Sequence, residues 1–139
     1  MAFFGLLRTG ELLKLQAKDV YMTSPKGPAV LSLGLTKSGA RQGAAESVTL
    51  YDTSVLPSLF RWKQQAQPHA YLTVKQHAWR KLFNQALEGL DLTSFGYRPY
   101  SLRRGGATFF FQHHGSFDKL LVLGGGQPQK LPVYTSTRV

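Results

Sequence analysis

The chain has no cysteine, which excludes disulfides and thiolate-ligated metal centres. Its four histidines (His69, His77, His113 and His114) form no His-Glu-x-x-His pair. With the few acids scattered, neither a protein-held catalytic metal nor a small-molecule cofactor is expected. Acidic side chains are scarce: 7 Asp and Glu against 17 Lys and Arg leave a formal net charge of +10. Such an excess attracts polyanions, nucleic acid foremost, although a merely well-solvated basic surface has the same composition. No apolar run approaches the roughly 20 residues that cross a bilayer. Arg8 and Glu11 interrupt the opening MAFFGLLRTGELL too early for a secretory signal. The expected location is intracellular, with DNA: the nucleus in a eukaryote, the cytoplasm or nucleoid in a bacterium.

What is present reads as one globular unit. At 139 residues and 42% hydrophobic content, the chain is long enough for a single core, and it shows no internal repeat or linker. ELLKLQAKDV places Leu12, Leu13 and Leu15 on a helix-compatible face. The Pro and Gly of MTSPKGPAV mark a turn, AVLSLGLT (29–36) alternates as a strand, and SVTLY (47–51) returns after the polar loop KSGARQGAAE. DTSVLPSLFRWKQQA predicts a helix with an Asp/Thr cap. TVKQHAWRKLFNQALEGL predicts another, capped by Thr73 and burying Val74, Ala78, Leu82 and Ala86. A further helix follows Ser101, anchored in the core by its phenylalanines and ending near Gly115; SFDKLLVLG adds a short one. The fold class is therefore α+β, mostly α, with a small antiparallel β-hairpin or sheet.

Four side chains carry the chemistry. Arg8 and Arg103 offer planar donor forks, each able to hold two phosphate oxygens and to offset the charge that builds on a phosphodiester under attack. Lys37, at the tip of the hairpin, is placed to protonate a departing hydroxyl, and the hydroxyl of Tyr134 is a nucleophile once its proton is removed. Each also has a plainer reading: an i,i+3 pair of Arg8 with Glu11, a loop lysine, surface arginines at a helix start, a packing tyrosine. Arg103 and Arg104 oppose the helix dipole where they stand, which favours a functional reason for them. Arg41 in the hairpin loop, with Arg98 and Arg104 at the helix start, are candidate phosphate contacts. Gly105 and Gly106 are expected to let neighbouring backbone approach closely.

The order of these motifs resembles the catalytic domain of the tyrosine recombinases, the phage-integrase family. RTGEL supplies Arg8, Glu11 and Leu12 where that family has its first arginine box; LTKSGARQGAAESVTL is similar to its lysine hairpin, with Lys37 as the match. YSLRRGGAT resembles its second box, with Tyr100 where histidine is usual and Arg103 as the second arginine. Gly125 falls nine residues before Tyr134, where the family has His or Trp. The resemblance spans Phe4 to Tyr134 and implies that Arg8 and Arg103 clamp the scissile phosphate in double-stranded DNA. Lys37 is then the general acid, and Tyr134 forms a 3′-phosphotyrosyl intermediate in DNA integration or recombination, without a cofactor.

The departures have chemical consequences. A phenol at Tyr100 donates a hydrogen bond but lacks the basicity of imidazole, and Gly125 has no side chain with which to buttress phosphate. Pro128 and Pro132 weaken a helix leading to Tyr134. Residues 1–139 are expected to form a single, partial catalytic domain without the family's N-terminal core-binding domain, able to act as a homo-oligomer on DNA. The alternative is a DNA-binding remnant that does not cleave. A basic RNA-binding protein ranks last, because no RNP-like or GXXG-type motif is present.

Overall fold

Alternating apolar and polar residues build a sheet with one dry face. The computed structural model describes residues 1–35, 45–116 and 119. Within them β1 (Val20–Tyr21), β2 (Ala29–Gly34) and β3 (Glu46–Leu50) form one antiparallel sheet in that order. Val20, Leu31 and Val48 are cross-strand partners in one row, and Ala29 faces Leu50. All five are buried, whereas Tyr21 and Ser47 on the other face are exposed, as a period of two requires. The hairpin is thus the one read from the sequence. An irregularity between Ser32 and Gly34 shifts the register so that Gly34, rather than Leu33, pairs with Glu46.

Helices complete the α+β, mostly α architecture. Among the described residues they are α1 (Thr9–Lys14), α2 (Leu56–Gln65), α3 (Gln76–Gly89) and α4 (Pro99–His114), with single 3-10 turns at Ala17–Asp19 and Thr93–Phe95. The core joins Leu7, Leu12 and Leu15 to the dry face of the sheet and to Leu56 and Leu59 of α2.

Three local expectations are corrected. ELLKLQAKDV does not continue as one helix. Leu15 turns extended, its carbonyl accepts the amide of Leu72 at 2.9 Å, and the amide of Ala17 donates to Ala70 at 2.9 Å. Non-local backbone pairing takes up the donors and acceptors there in place of another helical turn, and it leads directly into the unforeseen strand β1. The helix predicted from Thr73 starts at Gln76 behind Lys75. Val74 and Leu82 are exposed, and the half-buried stripe is Trp79, Phe83 and Leu87, again spaced by four but one residue around the helix. In α4 the phenylalanines are not core anchors: Phe109 and Phe111 are exposed, and Leu102 reaches the core instead.

The N-terminal segment locks α4 in place. Gly106 is the buried residue of α4, and a Cβ there would lie 2.0 Å from the carbonyl oxygen of Phe3. The close backbone approach expected of the glycine pair is therefore realised at Gly106. Phe3 and Phe4 pack on Phe109 with ring centroids 5.5 and 6.2 Å away. Leu6, in the left-handed region at φ 50, turns the chain from this contact toward Arg8.

Candidate nucleic-acid interface

Arg8 emerges from the buried run Leu6–Leu7 and caps α1 in an extended conformation. Glu11, at the third position of the helix, accepts the Arg8 amide on Oε2 at 2.7 Å and Arg8 Nη1 on Oε1 at 2.6 Å. The carboxylate closes the first turn and complements the positive end of the helix. The plain i,i+3 pairing of Arg8 with Glu11 is therefore real. It is also only half of what Glu11 does.

Arg103 arrives from α4 with Nη1 3.8 Å from Glu11 Oε2. That distance is an ion pair rather than a hydrogen bond. Glu11 and Arg103 keep little contact with water, 13% and 17% of each side chain being exposed, whereas Arg8 is 38% exposed. Burial lowers the Arg103 pKa below the ordinary guanidinium value, and the neighbouring charge of Arg8 pushes the same way; Glu11, Tyr100 and Glu46 oppose both. Arginine remains charged throughout. The two cations repel one another and are held together by the acid between them.

Tyr100 lies one helical turn before Arg103 and is exposed, as are Arg98 and Arg104. The Arg98 amide donates to Ser101 Oγ at 3.1 Å, fixing the start of α4. Lys37, Arg41, Gly125 and Tyr134 lie outside the described residues. Beside Arg8 and Glu11 a cavity of about 480 Å³ opens between α1 and β2, with Lys14, Asp19, Ser32 and Leu35 in its walls.

Glu46 was missed by the sequence reading. It stands at the foot of the hairpin, paired with Gly34, and acts electrostatically on Arg103. The available signal was scarcity: in a chain with 7 acids, an acid next to a cation-bearing hairpin is worth placing. Two arginines are thus gathered on one carboxylate, and Tyr100 and Glu46 act on Arg103 electrostatically. Donor forks in a partly desolvated setting recognise a tetrahedral oxyanion.

Among the described residues no three His, Asp or Glu side chains cluster as metal ligands, and no helix is long and apolar enough to cross a membrane. Comparison with protein-family models, with curated proteins and with solved structures returns no match.

Proposed function

We propose that the chain is a DNA-binding domain of the tyrosine-recombinase kind, in which Arg8 and Arg103 hold one phosphodiester of duplex DNA. The observation that carries this reading is the convergence of the two arginines, from the first and last described helices, on the single carboxylate of Glu11. Each guanidinium is a planar fork whose donors match two oxygens of a phosphate. The excess of positive charge over the whole chain draws the polyanion in, and Arg41, Arg98 and Arg104 take flanking phosphates.

In this function the Tyr134 hydroxyl gives up its proton to solvent water and its oxygen attacks phosphorus. The bond from phosphorus to the 5′-oxygen breaks, and Lys37 protonates the departing 5′-hydroxyl. The 3′-phosphotyrosyl bond conserves the energy of the phosphodiester, so attack by another strand's 5′-hydroxyl rejoins DNA and frees the tyrosine. Arg8 and Arg103 stabilise the extra charge on the non-bridging oxygens at both stages. A second reading, DNA binding without cleavage, is favoured by the exposed phenol of Tyr100 where imidazole would serve as base.

The test is a covalent-adduct assay with a library of nicked, end-labelled duplexes, read after denaturation. The expected adduct disappears in Tyr134→Phe and falls roughly a hundredfold or more in Arg103→Lys, because an ammonium does not reproduce the two-oxygen fork. Salt-sensitive binding without an adduct selects the second reading. Binding that salt leaves unchanged refutes both, since phosphate contacts release counterions.

A further inference from the structure

The segment before α4 holds a feature that the phosphate clamp does not use. The 3-10 turn Thr93–Phe95 ends in Gly96, which takes the left-handed conformation (φ 64, ψ 26). A Cβ at Gly96 would meet no neighbouring atom within 4 Å, so the backbone angle, not space, calls for glycine. The turn brings the rings of Phe95 and Tyr97 into parallel register, centroids 5.6 Å apart and planes 8° from parallel. Both stay in water, 64% and 45% exposed. Two large aromatic rings, prearranged and uncovered, form a binding surface waiting for a flat partner.

The surrounding charge defines that partner. From Leu92 to Phe117 the sequence contains Arg98, Arg103 and Arg104 and no acid. Arg98 and Arg104 are exposed, as is Tyr100 on the first turn of α4. Aromatic faces interleaved with exposed arginines, with no acid between them in the sequence, match a nucleobase with its phosphates better than an apolar protein surface. In an intact duplex the base faces are occupied by their neighbours. A ring platform therefore reads a base that has left the stack.

We propose that the Phe95–Tyr97 pair receives an unpaired nucleobase of a DNA strand whose phosphates are held by Arg98 and Arg104. This rests on the DNA-binding reading above and extends it. Joining one strand to another requires the nucleotides beside the break to leave one complementary strand before they pair with the next. A stacking platform in the turn that leads into the helix carrying Arg103 stabilises that unpaired state.

The probe is 2-aminopurine, whose fluorescence is quenched by stacking, placed either in a one-nucleotide bulge or in a fully paired duplex of the same sequence. The native chain should bind the bulged duplex about tenfold more tightly and quench its signal. Phe95→Ala combined with Tyr97→Ala should abolish both the preference and the quench while leaving affinity for the paired duplex within about twofold, since base stacking is sequence-tolerant and separable from phosphate contact. Tyr97→Phe, which keeps the ring, should retain both. If the double alanine variant keeps the preference, the proposal is wrong. It is equally wrong if that variant changes only the oligomeric state, because the platform then meets a second copy of the chain. Failure of the native chain to bind the paired duplex overturns the DNA-binding reading itself, a result distinct from binding both duplexes equally.

Discussion

Replacing Gly106 by alanine should push α4 off the N-terminal segment and take Arg103 with it. A Cβ at this position would lie 2.0 Å from the Phe3 carbonyl oxygen, 2.8 Å from its carbon and 3.0 Å from Leu6 Cδ2. The first two are backbone atoms and cannot rotate aside, so the helix must retreat by roughly 1.5 Å to reach ordinary contact. Overpacking of this kind costs about 3 kcal/mol, and the better helix propensity of alanine returns about 1. The net loss is about 2 kcal/mol, or roughly 8 °C in Tm for a chain of this size. Gly105→Ala is the control, because its Cβ would meet only the ring edge of Phe3, at 3.3 Å, and that side chain can give way. Urea unfolding followed by far-UV circular dichroism should rank Gly106→Ala well below native and Gly105→Ala at or slightly above it. A second readout follows from geometry. Arg103 sits one turn before Gly106 and is already 3.8 Å from Glu11, so the retreat breaks the ion pair and weakens duplex binding in Gly106→Ala alone. Equal stability of the two variants would refute the close approach of α4 to Phe3.

Two further outcomes are expected. Glu46→Gln removes a negative charge acting on Arg103 and should tighten duplex binding about threefold at low ionic strength, with the gain shrinking as salt screens it; fluorescence anisotropy checks this, and weaker binding would mean that Glu46 positions Arg103 rather than offsetting it. Leu31→Ala, at a fully buried site between Val20 and Val48, should cost about 3 kcal/mol in urea unfolding, whereas Val30→Ala on the opposite face should cost less than about 1 kcal/mol.

The elements legible in advance are those whose signal is local. AVLSL and SVTL alternate with period two, and the structure pairs them as a hairpin. Gly115 closes α4 in the left-handed conformation near the predicted end, whereas the helix opens at Pro99, ahead of the start expected after Ser101, because proline is well suited to the first helical position. The two-residue strand β1 has no period to detect and exists because Leu31 lies beside Val20. Helix α1 is short because Leu15 and Ala17 find backbone partners at Leu72 and Ala70, a choice invisible within ELLKLQAKDV. The stripe on α3 was misplaced by one residue because Ala78 and Trp79 are both apolar, and only contact with the core selects Trp79.

The candidate site divides in the same way. Residue type and order single out Arg8, Glu11 and Arg103, since fork-shaped donors and an acid three residues along are local facts. Glu46 has no such mark, and its influence on Arg103 depends on the register of the hairpin. The Phe95–Tyr97 stack was equally silent: a Phe-Gly-Tyr triplet becomes a platform only when glycine adopts φ 64.

By itself, then, the sequence determined the basic surface, the α+β class, the hairpin and the identity of the two arginines, because composition and short-range periodicity are properties of the chain. Tertiary structure alone decided that Arg8 and Arg103 share one carboxylate and that Gly106, set against the Phe3 carbonyl, seats α4. Each of these depends on segments distant in the chain coming within a few ångströms of one another, and such proximity is fixed only when the core beneath them closes.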